Sequence, residues 1–406
     1  MNILYINHYA GGPAYGMEYR PYYLSREWVN HGHNVLMLAA SYSHIRANQP
    51  KVTNKILNES SDGIHFRWYR TPEYSGNGLD RVRNMLSFIW SLYRDKKDIV
   101  GDFNPDVVIA SSTYPMDIWP ARSIAKKAGA KLIFEVHDLW PLSPIELGGM
   151  SRWHPFILWT QLAENYAYRH ADKVVSMLPK TKQHMIEHKM RPEKFYHIPN
   201  GIDLADWSSQ SVLPDEVDKQ IKEIAQKGNT IVGYAGTYGL ANALDALLDA
   251  AKKLSGQAEI ILVGTGPEHE RLQKKIRDED ITNVTMLPAI PKSSIPAFLA
   301  SIDIAYIGLL PEPLFRFGIS PNKLMDYMMS AKPVIMAISA GNDPVTDAGC
   351  GITVEPNNSD EIANAIISIG SKSIDEKYKM GENGRKYILA NHTYNTLANN
   401  FIKLME

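Results

Sequence analysis

Short runs of β-branched and aliphatic residues alternate with amphipathic segments of helix length along this whole 406-residue chain. Such alternation is typical of βαβ units, in which helices join parallel strands and cover the sheet. The first series of predicted strands comprises Ile3–Tyr9, Val35–Ala40, Val107–Ser111, Leu132–Val136 and Val174–Leu178. A second series comprises Thr230–Ala235, Glu259–Val263, Val284–Leu287, Ile304–Ile307, Val334–Ile338 and Ile352–Val354. We therefore predict an α/β fold of two tandem, Rossmann-like, doubly wound domains with a cleft between them.

The predicted domain boundary is a turn-rich segment, Ile198–Gly201, which continues into a polar stretch around Ser208–Pro214. Exposed, turn-rich segments of this kind are tolerated where one domain ends and the next begins. The predicted domains are therefore residues 1–200 and 201–385. Residues 386–406 form a separate C-terminal segment, in which Tyr394–Met405 alternates apolar and polar residues at helical spacing.

Composition excludes several classes of protein. The chain has 44% hydrophobic residues and one cysteine, Cys350, so disorder, collagen and a disulfide scaffold are excluded. No stretch approaches the ~20 apolar residues that span a bilayer, and the amino terminus lacks the pattern of a secretory signal. We expect the protein to remain in the compartment where it is made, and the lone thiol fits a reducing cytoplasm.

The net charge of −1 conceals an asymmetry between the two halves. Residues 1–203 carry 24 Lys+Arg against 19 Asp+Glu, whereas the remainder carries 19 against 25. Eleven of the 13 histidines also lie in the first part. The asymmetry suggests different partners for the two halves, although ordinary scatter in composition explains it equally well.

Glycine-rich turns follow the first strand of each series. Gly11–Gly16 follows Ile3–Tyr9, and Gly236–Gly239 follows Thr230–Ala235. A glycine turn before a helix can hold a phosphate through backbone N–H groups and the helix dipole. The first turn lacks the G-x-G-x-x-G spacing, which disfavours a nicotinamide or flavin enzyme, and a tight turn without a ligand explains it equally well. A third turn, Gly264–Glu268, suits either a helix cap or the lining of the cleft.

The segment Pro311–Met328 is the most informative part of the second half. Ser320 is predicted to cap a helix whose first residue is Pro321. This cap would aim three backbone amides into the cleft, those of Gly318, Ile319 and Ser320.

Charged residues of the same segment suit a nucleotide diphosphate. Arg316 and Lys323 supply cations where negative charge would grow, and the Asp326 carboxylate can accept two hydrogen bonds from a ribose diol. A capped helix with an exposed Lys323–Asp326 pair, worth ~0.2–0.5 kcal/mol, is the alternative.

His137 and the acidic cluster Asp278–Asp280 are two further candidate sites. His137 stands at the carboxyl end of a predicted strand, where open α/β sheets bind ligands, although a buried structural histidine is the alternative. Asp278–Asp280 has the spacing of a metal-binding D-x-D motif but closes a charged helix, so we expect no metal there. The histidines show no H-E-x-x-H spacing either.

Taken in order, these motifs resemble the retaining GT-B glycosyltransferases of family 4, particularly the subgroup that builds bacterial O-antigen, capsule and related surface polysaccharides. The resemblance covers essentially the whole chain. Its carriers are GGPAYG, EVHD, FYHIPNGID, YAGTYGLANALD, VGTGPE and SPNKLMDYM followed by AKPVIM. FYHIPNGID and SPNKLMDYM are the specific motifs, because glycine turns alone occur in many families.

The resemblance implies a UDP-sugar donor, no essential metal and a last helix that returns to the first domain. We expect catalytic roles for His137, Arg316 and Lys323, of which the two cations are our own inference. The expected donor-binding residues are Gly12, Gly16, Gly236, Thr237, Gly264, Gly266, Gly318, Ile319, Ser320, Asn322 and Asp326.

Two positions depart from the family pattern. Asp326 matches the second acid of the E-x7-E motif, but Gly318 stands where the first acid belongs. The family's usual Arg and Lys in the second domain correspond roughly to Thr237 and Asn242. Neutralisation of the diphosphate would then rest on Arg316 and Lys323.

The predicted activity is retaining transfer of a sugar, an N-acetylated hexosamine or deoxyhexosamine, to a lipid-linked or saccharide acceptor. A nucleotide-sugar epimerase and an inactive nucleotide-sugar-binding protein remain alternatives, the latter because of Gly318. Nucleic-acid binding is disfavoured, because no basic stripe with interleaved aromatic residues dominates either half.

A cationic helix suggests contact with a membrane. Arg81–Lys97 carries five cationic residues and a predicted apolar face of Met85, Phe88, Ile89 and Leu92, which Trp90 and Tyr93 widen. Such a helix suits an anionic surface, and we expect the protein at the cytoplasmic face of the inner membrane. Trp153–Tyr168 is a second candidate; for both helices, packing against the first sheet is the alternative.

Overall fold

The computed structural model describes residues 1–16, 18–76, 78–208 and 211–406, which divide into two compact units. Unit 1 comprises Met1–Asn200 and Tyr394–Glu406, and unit 2 comprises Gly201–Thr393. The position predicted for the end of the second domain, residue 385, lies inside a helix, so unit 2 continues to Thr393. Residues 209 and 210 of the predicted polar stretch lie outside the described residues.

Unit 1 contains an eight-stranded sheet in the order β3-β4-β2-β1-β5-β6-β7-β8. All neighbouring strands are parallel except β3 and β4. The strands are β1 Asn2–Ile6, β2 Asn34–Ala40, β3 Ile56–Ser61, β4 Ile64–Tyr69, β5 Val107–Ala110, β6 Lys131–Val136, β7 Lys173–Ser176 and β8 Phe195–His197. The strand order reverses between β1 and β5, which makes their carboxyl ends the expected place for a ligand.

Three strands of unit 1, β3, β4 and β8, were not predicted. β3 and β4 form an antiparallel hairpin joined by Asp62 and Gly63, which both have positive φ, 51° and 78°. An Asp-Gly pair is a strong sequence signal for such a turn, but β3 is polar and largely exposed, so its hydrophobic pattern is weak.

Helices cover both sheets. Those of unit 1 are α1 Arg20–Asn30, α2 Leu79–Asp98, α3 Ile118–Ala128, α4 Leu142–Glu146, α5 Pro155–His170 and α6 Lys182–Glu187. Those of unit 2 are α7 Ala205–Ser208, α8 Asp215–Ala225, α9 Leu244–Lys252, α10 His269–Asp278, α11 Ile295–Ala300, α12 Asn322–Met329, α13 Pro344–Ala348, α14 Ser359–Gly370 and α15 Ile374–Asn391. The last helix, α16, spans Tyr394–Met405. A π-helix, Ile99–Phe103, extends α2; the short 3-10 helices are Pro115–Asp117, Pro192–Lys194, Leu240–Asn242, Lys292–Ser294 and Pro313–Phe317.

Unit 2 contains a six-stranded, fully parallel sheet in the order β11-β10-β9-β12-β13-β14. Its strands are β9 Thr230–Ala235, β10 Ala258–Val263, β11 Val284–Leu287, β12 Ile304–Gly308, β13 Val334–Ala337 and β14 Gly351–Val354. All six were predicted, because each is a short apolar run between helical segments. The order has the doubly wound pattern 3-2-1-4-5-6, with its reversal between β9 and β12, and buried clusters cover both faces of the sheet.

The last helix, α16, belongs to unit 1, where it packs on α1. The Phe401 ring lies 5.5 Å from the Trp28 ring, and Tyr394 lies 4.9 Å from Tyr23. The Trp28 indole N–H also donates to the Ala398 carbonyl at 3.3 Å. The first and last helices of the chain therefore share one apolar core over the first sheet.

Four of the six residues predicted to form the membrane-facing side of α2 are buried instead. Met85, Phe88, Ile89 and Leu92 are all buried inside unit 1, because a helix that covers a sheet turns its most apolar side inward. Trp90 and Tyr93, predicted to widen that face, are exposed, as are Leu79 and Leu86.

The second candidate, α5, also packs partly inward. Phe156 and Trp159 join an aromatic cluster, whereas Trp153 just before the helix is 82% exposed. Among the described residues, no helix is long and apolar enough to span a bilayer.

Replacing Phe401 with alanine should destabilise unit 1 by about 3–5 kcal/mol, because a fully buried ring is lost from the core between α1 and α16. Seven of the eight tryptophans lie in unit 1, so urea unfolding followed by tryptophan fluorescence reports mainly on this unit. The exposed Lys403 on the same helix supplies the control, and Lys403→Ala should change the free energy of unfolding by less than ~0.5 kcal/mol. Equal effects of the two substitutions would contradict the packing described.

Candidate functional site

In unit 1, polar side chains gather at the carboxyl ends of β1, β5 and β6. The His137 ring, directly after β6, lies 2.8 Å from the Ser111 hydroxyl through Nε2 and 3.1 Å from Glu18 through Nδ1. Nε2 also lies 3.4 Å from Glu135 Oε2. His137 is therefore held on both ring nitrogens at the edge where a doubly wound sheet binds ligands.

A buried ion pair lies next to His137 at this edge of the sheet. Arg20, at the start of α1, donates through Nε and Nη2 to Glu135 Oε1 at 3.0 and 2.9 Å, and both side chains are almost fully buried. Two further N–H groups of Arg20, on Nη2 and Nη1, donate to the backbone carbonyls of Ile198 and Pro199. One guanidinium thus ties α1, β6 and the end of unit 1 together.

The charges of this cluster fix the protonation of His137. Burial alone would lower the pKa of His137, but the carboxylates of Glu18 and Glu135 outweigh it and raise that pKa to about 10. Although burial opposes the charged form of Glu135, Arg20 and His137 hold its pKa well below the usual range. At neutral pH, His137 is accordingly an imidazolium whose two N–H groups are engaged, and it is a fixed cation rather than a proton acceptor.

A cavity of about 300 Å³ opens beside this cluster. Glu18 and Asp138 contribute acidic groups to its lining, and Arg81 contributes a guanidinium. Arg81 lies 5.9 Å from the Tyr9 ring centre and 5.7 Å from that of Trp140. Arg81, predicted as part of a membrane helix, therefore faces a pocket in which carboxylates, a guanidinium and aromatic faces suit a hydroxylated ligand.

The donor-binding role of Gly12 and Gly16 stays a prediction, but the amides of both residues are already engaged within the first glycine turn. These two residues bond to each other, N–H to carbonyl, at 3.1 and 2.8 Å, and Tyr15 N–H donates to the Gly12 carbonyl. Gly16 has φ +82°, which favours glycine. The segment is a tight turn whose amides are used inside the turn.

In unit 2, Lys323 is the centre of a compact polar network. Its ammonium, on the first turn of α12, donates to the Tyr234 hydroxyl at 2.9 Å and to Asn242 Oδ1 at 3.0 Å. Tyr234 and Asn242 in turn both donate to the Thr237 carbonyl, at 2.7 and 3.0 Å. The network joins α12 to the turn that follows β9.

Lys323 retains capacity for a ligand. An ammonium has three N–H donors, and across residues 1–16, 18–76, 78–208 and 211–406 only two acceptors and no carboxylate meet it. Burial lowers the pKa of Lys323 to about 8. An anion beside Nζ would restore the charged form, which makes this position suited to a phosphate.

Three predicted glycines bring the backbone of unit 2 close together. A Cβ on Gly236 would lie 2.8 Å from Lys323 Nζ, and one on Gly264 would lie 1.9 Å from the Gly236 carbonyl oxygen. A Cβ on Gly266 would lie 2.5 Å from the Tyr238 carbonyl oxygen. The turns after β9 and β10 therefore touch, and any side chain at these positions would separate them.

The predicted cap at Ser320 is wrong. The capping position of α12 is Pro321, and the helix begins at the exposed Asn322. Two of the three amides expected to face a ligand are engaged elsewhere, since Gly318 N–H donates to the Phe315 carbonyl and Ile319 N–H donates to Asn342 Oδ1. The loop before α12 is thus held by the protein itself.

The structure separates the charged residues that the sequence grouped together. Arg316 is exposed, donates to the Pro313 carbonyl and stacks on Phe317 at 4.4 Å, all within its own 3-10 turn. The Lys323–Asp326 pair does not form. Asp326 faces Trp207 and Lys292 instead, and burial raises its pKa to about 6.

Sequence reasoning missed Glu18, Arg20, Glu135 and Tyr234. Glu135 had a visible signal, because it is a carboxylate inside the apolar strand run LIFEV, and a charge in a buried strand is paired. Tyr234 had none, since a tyrosine in a strand is ordinary core.

Both halves of the chain match known protein families. Residues 14–206 match the family described as Glycosyltransferase Family 4, and residues 229–372 match the family described as Glycosyl transferases group 1. The chain carries two glycosyltransferase domains. An uncharacterised glycosyltransferase of Methanocaldococcus jannaschii is 24% identical over 244 residues, which cover 59% of this chain and 59% of that relative.

Solved structures share the fold of these glycosyltransferase domains. Sucrose-phosphate synthase of Thermosynechococcus elongatus has a TM-score of 0.73 and 17% identity, over 100% of this chain and 98% of that one. HepE of Anabaena, in complex with UDP and glucose, has a TM-score of 0.67 and 17% identity, over 100% and 99%. The chain has the GT-B fold, two parallel-sheet α/β domains, as predicted.

The raised pKa of His137 predicts a pH dependence for unit 1. An ordinary unfolded histidine has a pKa near 6.5, so the stabilisation is complete below that pH and is lost as the pH rises towards 10. We expect the free energy of unfolding to fall by at most about 1.4 kcal/mol per pH unit. Urea unfolding between pH 8 and 9.5 avoids the titration of Asp117, whose pKa burial raises to about 7.

The His137→Gln variant should lack this slope, whereas the exposed His65→Gln control should keep it. The same slope in His137→Gln as in the wild-type protein would show that His137 is not the group responsible.

Proposed function

We propose that this protein is a glycosyltransferase that moves a sugar from a UDP-sugar to an acceptor hydroxyl. The observation that carries the proposal is the Lys323 ammonium, which two neutral acceptors position and which no carboxylate among the described residues neutralises. A diphosphate supplies the missing negative charge. The two glycosyltransferase domains support the reaction class, and the fold shared with UDP-bound HepE supports UDP as the nucleotide.

The donor site is assigned to unit 2, at the carboxyl ends of β9 and β10. Close contact between the turns of Gly236 and Gly264 leaves the Lys323 ammonium beside backbone without intervening side chains, which suits the approach of a phosphate. Asp326 stays the predicted partner of the ribose, by resemblance. Burial raises the pKa of Asp326. A ribose diol that donates hydrogen bonds to the ionised carboxylate would lower this pKa again.

In the proposed reaction, the acceptor oxygen attacks the anomeric carbon on the face from which the diphosphate departs. The bond to the acceptor forms as the bond to the β-phosphate oxygen breaks, and the acceptor proton passes to that oxygen. Negative charge grows on UDP, so Lys323 stabilises the transition state more than the ground state. Retention and independence from a metal ion rest on the resemblance; the anomeric configuration of the product and activity in EDTA test them.

Unit 1 is proposed to bind the acceptor. His137 is a poor proton acceptor while both of its nitrogens are engaged, so its proposed role is that of a fixed cation at the edge of the pocket. Glu18 and Asp138 can accept hydrogen bonds from hydroxyls in the cavity beside it. We propose a lipid-linked or saccharide acceptor and an N-acetylated hexosamine or deoxyhexosamine as the transferred sugar, in surface polysaccharide biosynthesis.

Membrane contact is proposed through the outer face of α2. Leu79, Leu86, Trp90 and Tyr93 follow one side of the helix and are 87%, 47%, 69% and 38% exposed. Arg83 and Arg94 flank this stripe, and exposed aromatic residues beside cations suit an anionic interface. We also propose a peripheral position at the cytoplasmic face of the inner membrane.

Replacing Lys323 with methionine should weaken UDP binding about 10- to 100-fold, because one charge-assisted hydrogen bond is lost. Calorimetric titration with UDP at pH 7 measures the change. Lys274→Met, at an exposed position of α10, is the control and should bind UDP as the wild-type protein does. UDP affinity of the wild-type protein should also fall as the pH rises through 8, because Lys323 loses its proton there, and Lys323→Arg should abolish that dependence.

The activity itself is tested by a panel of UDP-sugars, first by thermal shift and then by UDP release with candidate acceptors. Turnover that depends on an acceptor and falls in Lys323→Met supports transfer. Conversion of the sugar without an acceptor would identify an epimerase instead, and tight binding of UDP without turnover on any acceptor would identify a binding protein.

The outer face of α2 predicts binding to anionic liposomes at low salt. The double variant Leu86→Ser/Trp90→Ser should sediment with such liposomes much less than the wild-type protein, because both side chains would otherwise enter the interface. Ile374→Ser removes an 81% exposed apolar residue from unit 2 and serves as the control. Sedimentation that is unchanged in the double variant would refute this membrane surface.

A further inference from the structure

A second polar cluster of unit 1 lies on α5 and α6 and involves none of the residues that line the cavity. Glu164 of α5 is buried, with a side chain 2% exposed, and it faces two histidines. His184 Nε2 lies 3.4 Å from Glu164 Oε1, and His188 Nδ1 lies 3.9 Å from Glu164 Oε2. All three ligand atoms lie within 4.8 Å of one another.

The local sequence explains why the histidines meet. His184 lies on α6 and His188 caps its carboxyl end, so the spacing i, i+4 puts both rings on one side of the helix. Their ring centres are 4.4 Å apart. The Tyr168 hydroxyl donates to Glu164 Oε1 at 3.1 Å, which helps to hold the carboxylate in place.

The separations are close to those of a metal centre. With bonds of ~2.0–2.1 Å to nitrogen and oxygen, a tetrahedral zinc site has ligand atoms roughly 3.3 Å apart. The two histidine–Glu164 separations, 3.4 and 3.9 Å, are close to that value, and the two histidine ligand atoms lie within 4.8 Å of each other. Exposed fractions of 11% for His184 and 30% for His188 also leave a path for an ion from solvent.

We propose that Glu164, His184 and His188 bind a divalent transition-metal ion of the zinc type. Two imidazoles and one carboxylate are ligands that Zn²⁺ prefers, and this set leaves a fourth position for water or an amide oxygen. The amide of Gln161 is assigned to that position as part of the proposal, since its Nε2 lies 2.6 Å from Glu164 Oε2 and 2.9 Å from His188 Nδ1. The Gln161 amide would rotate to offer its oxygen. The bound ion joins α5 to α6 and stabilises unit 1.

The other interpretation is a hydrogen-bonded cluster that needs no metal. Gln161 bridges Glu164 and His188, and Asn165 Oδ1 lies 3.1 Å from His188 Nδ1. Such a cluster would hold the two helices without an ion. A direct measurement of metal affinity separates the two interpretations.

The experiment titrates the full chain, stripped of metal with EDTA, with Zn²⁺ against a chromophoric chelator. We expect one Zn²⁺ per chain. His184→Ala and His188→Ala should each lower the affinity by at least about 10-fold, because the loss of a ligand costs no less than the loss of a group that orients one. His65→Ala changes an exposed histidine outside the cluster and should bind as the wild-type protein does. Zn²⁺ should raise the melting temperature of the wild-type protein and of His65→Ala only.

Co²⁺ provides a readout that needs no variant to fold, since four-coordinate Co²⁺ with nitrogen ligands absorbs visible light strongly and the hydrated ion does so weakly. We expect such bands in the wild-type protein. Zinc affinity unchanged in both histidine variants, or the absence of these bands at saturating Co²⁺, would overturn the proposal. So would equal affinity for Mg²⁺, which prefers oxygen ligands.

Discussion

The buried pair of Arg20 and Glu135 is the interaction on which the rest of unit 1 depends. Two ions removed from water cost several kcal/mol each, and this cost is offset only where every donor and acceptor is used. Arg20 comes close to that condition, because four of its five N–H groups donate to one carboxylate and two backbone carbonyls, and Glu135 accepts from Arg20, Ser111 and the Tyr5 hydroxyl. Removing one partner of such a pair typically costs about 3–5 kcal/mol. The carboxyl edge of the first sheet is therefore rigid before any ligand arrives.

The central cations of the two candidate sites have opposite surroundings. In unit 1, Arg20 and His137 face carboxylates of the protein itself, so the cluster is electrically balanced. In unit 2, Lys323 donates to Tyr234 and Asn242, which are neutral, so no carboxylate among the described residues compensates its charge. Balanced charge gives a fixed scaffold, whereas unbalanced charge in a partly desolvated place attracts an anion. This difference is the physical reason for assigning the nucleotide diphosphate to unit 2.

The sequence was a good guide to the sheets and a poor guide to the contacts at their edges. Apolar runs predicted every strand of unit 2, but the polar strand β3 escaped because its pattern is weak. Ser320 satisfied the rules for a helix cap, yet the helix begins two residues later and Asn342 takes the Ile319 amide. The i, i+4 spacing of His184 and His188 was also visible in the sequence. The third residue of their cluster, Glu164, was not, because it lies on another helix.

By itself, the sequence determined the architecture: two series of strand and helix signals, the glycine turns, and motifs whose resemblance correctly indicated two glycosyltransferase domains. Only the tertiary structure decided which way side chains face. In the folded chain Met85 and Phe88 are buried, whereas Trp90 is exposed. Lys323 donates to the Tyr234 hydroxyl rather than pairing with Asp326, and Arg20 pairs with Glu135. The reason is physical. Periodicity records whether a segment is helix or strand, whereas the partner of a charge depends on segments far apart in the chain that meet only when the sheet has assembled.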